Sequence, residues 1–199
     1  MGFWDQQYSA AGYKYGEQPN AFLASQAHRL PAHARVLVPA DGEGRNGVWL
    51  AQQGHQVTAL DQSSVGLAKA RALAEQRGVP LDTECVDLTT WEPPAGTADA
   101  VVLTFVHLPP AMRAVVHAKC VSALKPGGLL LLEAFAPEQL GLSSGGPKQL
   151  DMLFTLEMLR SDFVPALHEV LGETASAVLD EGPAHQGPAA LTRFIGQRV

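Results

Sequence analysis

Apolar residues come in short runs that alternate with helix-like stretches. Residues 35–38 form a buried-strand candidate, followed by glycines and a helical stretch over 45–53 that Gly54 closes at the C′ position. Residues 56–60 read as a second strand. Asp61-Gln62-Ser63-Ser64 follows, and either serine can cap the Ala/Leu-rich helix that ends before Gly78. Residues 81–86 read as a third strand, interrupted by Asp82 and Glu84, and residues 100–105 as a fourth with the apolar character of a central parallel strand. Pro109 or Pro110 opens the next helix, which runs to about Ala123, since proline is tolerated in a first helical turn. Lys125-Pro126-Gly127-Gly128 is a turn before a fifth strand at 129–135.

Strands separated by helices imply right-handed crossovers and a parallel sheet covered on both faces. Beyond Phe135 the pattern changes. Residues 138–148, with Ser143-Ser144-Gly145-Gly146-Pro147, read as a loop too mobile in composition to be core, and 150–163 as one amphipathic helix. Residues 175–179 and 190–195 read as strands whose connection is too short for a crossover helix, so they should form an antiparallel hairpin at one side of the sheet. The expected fold is α/β, doubly wound, with a mainly parallel seven-stranded sheet and a C-terminal antiparallel hairpin. At 199 residues the chain is one domain, 1–199, with residues 1–30 as an N-terminal lid or helix region.

Composition narrows the class. Hydrophobic residues at 46% against 17% charged exclude a disordered chain. A formal net charge of −6 argues against a partner that presents a phosphate backbone. Cys85 and Cys120 make neither a disulfide framework nor a thiolate metal site, and no metal is expected. The segment Met1-Gly2-Phe3-Trp4-Asp5 lacks the regions of a signal peptide, and the longest apolar run is far short of the ~20 residues of a membrane span. The expectation is a cytoplasmic protein, a monomer or weak homodimer, with no membrane partner.

Candidate chemistry begins at Asp41-Gly42-Glu43-Gly44-Arg45-Asn46, between the first strand and its helix, where glycines allow a ligand close to the backbone beyond the strand ends. The plain alternative is a tight strand-to-helix turn. Asp61, ending the second strand, can accept from both hydroxyls of a ribose, or serve only as a helix cap. Gly42, Gly44 and Gly47 satisfy a bare dinucleotide pattern, but the flanking Asp41 and Glu43 repel pyrophosphate and favour a ligand carrying an ammonium and a sulfonium. S-adenosylmethionine is such a ligand. Asp87 with Leu88, after the third strand, suits its adenine amino group; alone, Asp87 could equally cap a loop.

These landmarks, in order and joined by Tyr15-Gly16, His107-Leu108-Pro109 and His185-Gln186-Gly187, make the chain resemble the class I S-adenosylmethionine-dependent methyltransferases along essentially its whole length. Within them it is similar to a small bacterial group related to the tellurite-resistance and thiopurine methyltransferases. The resemblance implies a Rossmann-like fold, S-adenosylmethionine as cofactor and S-adenosylhomocysteine as product. It implies Asp61 on the ribose, Asp87 and Leu88 near the adenine, Ala40 and Gly42 along the methionine portion, and Phe105 beside the sulfur; Gly44, Asn46 and Gln62 join this cofactor set. The superfamily's acidic residue at the end of strand one and glycine two residues later are replaced by Val38 and Ala40, so either Asp41 or a water is expected to take the cofactor's amino group. The Asn/Asp-Pro-Pro-Tyr of nucleic-acid and protein amide methyltransferases is absent after strand four.

The expected acceptor is a small molecule, a thiol or a chalcogen oxyanion such as tellurite, with His107, His185 and Arg193 as acceptor-side residues. Alternatives stand beside each. His107 could satisfy a turn carbonyl, His185 could lie in a surface loop, and Arg193 could pair with Glu173 or Asp180 across the sheet. Trp4, Tyr8, Tyr13 and Tyr15 form either a packed amphipathic segment or a lid in which Tyr15 touches the cofactor. Trp91 is assigned to packing, and Arg113 and Arg160 to solvated faces. A cofactor-binding sensor and a nucleotide-dependent oxidoreductase on the same topology are the rival functions.

Overall fold

In the computed structural model of the chain, residues 2–164 and 166–199 are described; Met1, the first residue of the expected N-terminal lid or helix region, lies outside them. Short helices α1 (Phe3–Tyr8) and α2 (Ala21–Gln26) precede β1 (Arg35–Pro39), α3 (Arg45–Gln52), β2 (Gln56–Asp61), α4 (Ser64–Arg77), β3 (Asp82–Cys85), β4 (Ala98–Thr104), α5 (Pro110–Ala123) and β5 (Leu124–Phe135). Then come α6 (Leu156–Phe163), β6 (Leu167–Asp180) and β7 (Gln186–Arg198). The sheet order is β3-β2-β1-β4-β5-β7-β6, with β1 to β5 parallel and β7 inserted antiparallel between β5 and β6. Strand order reverses between β1 and β4, which opens a crevice at their carboxyl ends.

Alternation along the strands builds a core on each face. Val101, Leu103, Leu130, Leu132 and Phe194 face α5 and α6, while Ala100, Val102, Leu131 and Ile195 face Phe22 and Leu50. Of the two serines that could cap α4, Ser63 does so: its Oγ accepts from Gly66 N at 3.0 Å, and Gly78 closes the helix with φ +68°. Trp91 is core, as read from the sequence.

Four expectations change. The helix read over 150–163 is a 3₁₀ turn at Leu150–Met152 and then α6 alone. Between them Phe154 N donates to Phe135 O and Phe154 O accepts from Thr192 Oγ1, so the chain is held like a sheet edge until Thr155 caps α6. Residues 138–148 are not a loose loop. Gln139 and Ser144 are buried; Gln139 Oε1 accepts from Ala190 N, and Ser144 Oγ donates to Pro188 O at 2.6 Å. Arg113 is not solvated: it donates to Asp162, which also accepts from His117, and so clamps α5 to α6. Arg160 does stay at the surface, paired with Glu169. Finally, the hairpin strands run well past the apolar segments read at 175–179 and 190–195, because much of β6 has no buried face to reveal it.

Candidate active site

Each wall of the crevice is set by a local device. At the end of β1, Gly42 (φ +59°) and Gly44 (φ +90°) turn the chain into α3. A Cβ on Gly44 would lie 2.6 Å from Ala70 Cβ, so this glycine lets α4 pack close. A Cβ on Gly47 would lie 2.3 Å from Asp41 Oδ2, and the missing side chain lets that carboxylate reach back and accept from Gly47 N at 3.1 Å. Asp61, ending β2, accepts from Gly42 N at 2.9 Å and Ser63 N at 2.8 Å, which fixes both of its oxygens at the crevice floor. Burial raises the carboxyl pKa of Asp61, and that of Asp41 rises to about 7.

The N-terminal segment closes the top. Asp5 accepts from Ser63 Oγ at 2.7 Å, Trp4 stacks on Tyr8 with centroids 5.5 Å apart, and Tyr8 packs where Gly42 and Gly66 leave room. At the far side, the β6–β7 turn folds inward over the strand ends. A Cβ on Gly182 would lie 2.3 Å from Gly16 N, and Ala184 N donates to Lys14 O, so the turn is seated on the N-terminal segment. This carries His185 to the crevice, where its ring lies 4.6 Å from Tyr15 and 4.5 Å from Phe105, centroid to centroid.

The result is a cavity of about 650 Å³, within the range of small-molecule sites. Among the expected residues, Tyr15, Ala40, Asp41, Asn46, Asp61, Gln62, Asp87, Leu88, Phe105, His107 and His185 all line it. Gly42 and Gly44 do not; they shape the loop beneath. Arg193 does not line it either. Its Nε donates to Glu133 at 2.6 Å and its Nη1 to Glu173 at 3.2 Å, with the guanidinium over Phe22, so the cross-sheet pairing considered for it is the one formed.

Three further readings need adjustment. Glu43 does not face a ligand: it accepts from Lys69 Nζ and Lys14 N, both at 2.7 Å, so Asp41, Asp61 and Asp87 are the acidic groups on the wall. Asn46 spans the floor, donating to Thr104 Oγ1 and accepting from Asn20 N. Asp87 accepts from Thr89 N and Oγ1 through Oδ1, a turn cap that leaves Oδ2 without a hydrogen-bond partner among the described residues.

His107 takes the turn-carbonyl role set against the functional one. Nδ1 donates to Met152 O at 2.7 Å and Nε2 accepts from Phe135 N at 3.1 Å, so both nitrogens are used and burial holds the ring near a pKa of about 4. His185 is pushed down to about 3 by burial and then by the charge of Arg45. The sequence reading missed Arg45 as a wall residue, together with Pro147, Gln149 and Met152 from the segment after β5. Arg45 was visible within the glycine motif, but its direction was not.

Residues 36–128 match the family described as a methyltransferase domain. A ubiquinone biosynthesis O-methyltransferase of Idiomarina loihiensis is 33% identical over 96 residues, 47% of this chain and 39% of that protein. A thiopurine S-methyltransferase of Bordetella petrii is 51% identical over 39 residues, 20% and 18% of the two chains. A tRNA 5-carboxymethoxyuridine methyltransferase of Escherichia coli is 29% identical over 107 residues, 51% and 40%. The matched stretches thus span 40% or less of these three relatives. In fold, the chain is similar to a structure concerned with conversion of a disulfide bond into a thioacetal group during echinomycin biosynthesis, with TM-score 0.80 at 15% identity, covering 98% and 91% of the chains. TehB from Haemophilus influenzae superposes with TM-score 0.74 at 15% identity, covering 99% and 66%.

Proposed function

We propose that the chain, a class I S-adenosylmethionine-dependent methyltransferase by its domain and fold, methylates a small soft acceptor, a thiol before all others. One observation carries the choice of thiol: among the described residues, the acceptor end of the cavity offers no base strong enough to take a proton from a hydroxyl or an ammonium. Its walls are Phe105, Leu108, Phe135, Pro147 and Met152; both nitrogens of His107 are already hydrogen-bonded, and burial lowers the His185 pKa to about 3, which makes its neutral ring too weak a base for such an acceptor. A hydroxyl or ammonium acceptor needs a group that takes its proton at working pH. A thiol does not, since its ordinary pKa of about 8.5 already leaves a fraction as nucleophilic thiolate near neutrality.

A chalcogen oxyanion is the weaker candidate. The cation expected to receive it, Arg193, is held by Glu133 and Glu173 outside the cavity. A nucleic-acid acceptor is disfavoured by the net charge of −6, although one relative is named for a tRNA.

Asp61 would hold the ribose hydroxyls, Asp87 and Leu88 the adenine edge, and Asp41 the ammonium. Bound in this way, S-adenosylmethionine supplies a methyl group activated on a sulfonium. The chain contributes alignment and exclusion of water: Phe105 and Phe135 stack at 4.6 Å as a dry wall, with Trp4 and Tyr8 above.

The test pairs binding with turnover. S-adenosylhomocysteine should raise the melting temperature and NAD should not. Asp61→Ala should weaken S-adenosylhomocysteine by about 2–3 kcal/mol in calorimetry, since each bond to a charged group is worth ~1.5–3 kcal/mol. Over a panel of an aryl thiol, tellurite, a catechol and a primary amine, S-adenosylhomocysteine should form with the thiol. Stabilisation by NAD alone would favour the oxidoreductase. Tight cofactor binding with no turnover across the panel would favour a sensor.

A further inference from the structure

Two buried nitrogens on the cavity wall have no hydrogen-bond partner among the described residues: Nη1 of Arg45 and Nδ1 of His185. A buried polar group without a partner is uncommon and unfavourable, and a charged one more so. Neither is an accident of a loose side chain. Arg45 Nη2 donates to Glu181 Oε2 at 2.9 Å, with both side chains 7% exposed. Glu181 is anchored in turn by Asn20 Nδ2 at 3.0 Å and Ala21 N at 2.9 Å. One arm of the guanidinium is therefore fixed to the frame while the other is left open.

The two open nitrogens share a neighbourhood. Arg45 is the first residue of α3 and His185 the last of the β6–β7 turn, and both line the cavity with Tyr15 and Asp41. The field of Arg45 reaches all three of these groups. A cation and a neutral imidazole N–H beside one buried carboxylate make a corner complementary to a zwitterion. Phe105 and Phe135, at the other side of His185, offer nothing polar.

We propose that Arg45, assisted by His185, receives the carboxylate of the cofactor's amino-acid end, with Asp41 on the ammonium. The assignment rests on the S-adenosylmethionine reading of this cavity. It moves His185 from acceptor chemistry to cofactor positioning. Arg45 donates through Nη1–H, and His185 donates through Nδ1–H in that tautomer; neither proton leaves its nitrogen. The same corner could instead meet an anionic acceptor, and the choice of probes separates the two sources.

The experiment is calorimetry on the full chain with S-adenosylhomocysteine and with its decarboxylated analogue, which keeps the ammonium and lacks the carboxylate. Wild type should prefer S-adenosylhomocysteine about 10- to 100-fold, the range of one or two bonds to a charged group. Arg45→Gln should erase most of that preference while the analogue's affinity stays within about threefold. Because that change also breaks the pair with Glu181, Arg45→Lys is measured beside it. Lysine keeps the charge facing Glu181 and removes the second arm, so it should fold with a wild-type melting temperature and still lose the preference. His185→Phe should cost a few-fold for S-adenosylhomocysteine alone. Equal loss of both ligands in Arg45→Lys, or a preference untouched by either variant, overturns the assignment. Failure of wild type to bind either ligand overturns the cofactor reading itself.

Discussion

Ala40 and Phe105, at the ends of β1 and β4, both have φ of +55°, a backbone region that costs side-chain-bearing residues ~1–2 kcal/mol. At Phe105 the strain turns the ring onto Phe135 and His185. At Ala40 the return is only one methyl group packed on the core, so Ala40→Gly should raise stability by about 0.5 kcal/mol in urea titration, the relief of strain outweighing the lost methyl and the added chain entropy. The two histidines make an opposite, pH-linked prediction. Their folded-state pKa values, about 4 for His107 and about 3 for His185, lie below the ordinary value of about 6.5. The stability they lend is full above pH 6.5 and is lost as pH falls toward those values, at roughly 1.4 kcal/mol per pH unit per ring. Asp41 works the other way: its folded-state pKa of about 7 means that acidification relieves it. His185→Phe should therefore flatten the loss of stability between pH 6.5 and 5 by about 1.4 kcal/mol per unit, read from urea midpoints. Residue types at the site were legible in the chain; directions were not. Nothing around Glu43 announces that Lys69 and Lys14 will claim it, or around Arg193 that Glu133 will, because those partners come from other elements.

At the scale of elements, the alternation of strands and helices through β5 was read correctly; β1, β4 and residues 129–135 are nearly all apolar, β3 was found despite Asp82 and Glu84, and β5 begins at Leu124 so that it takes in the turn read at 125–128. The misreadings came where tertiary contacts replace local pattern: Phe154 bonded to β5 and β7 where a helix was expected, and Gln139 and Ser144 buried in a stretch of loop composition. The N-terminal aromatics could not be decided from sequence, and the structure gives both answers: Tyr8 packs, yet it packs as the roof of the cavity. That roof can be lifted. A Cβ on Gly42 would fall 2.5 Å from Tyr8 Oη and 3.0 Å from Cζ, at a backbone φ of +59°. Gly42→Ala should unseat α1 and weaken S-adenosylhomocysteine at least tenfold. Adding Tyr8→Phe should recover part of that loss, as a double-mutant cycle would show; no recovery would mean that backbone strain alone is responsible.

Across the whole molecule, one buried chain of polar groups joins distant parts of the sequence: Arg45 to Glu181, Glu181 to Asn20, Asn20 Nδ2 to Glu133 Oε1 at 2.7 Å, and Glu133 to Arg193. Asn20, fully buried, also caps α2 through Leu23 N, so a single amide holds two carboxylates and a helix end together. Asn20→Asp would set a third carboxylate against the other two and should cost about 3–5 kcal/mol at neutral pH. Because such an aspartate would have a raised folded-state pKa, part of the loss should return as pH falls and the group protonates into a donor. A stability that worsens on acidification would show that the amide's role is packing alone. The same hub fixes an order of events. The matched methyltransferase domain ends at residue 128, but Glu181 and His185 arrive only with the last hairpin. On the ribosome, the segment containing nearly every expected ligand contact emerges well before the two residues that seat Arg45 and wall off the cavity. A nascent chain halted within β6, before Glu181, should therefore not retain the cofactor, and occupancy by S-adenosylhomocysteine would report that synthesis had run past the β6–β7 turn.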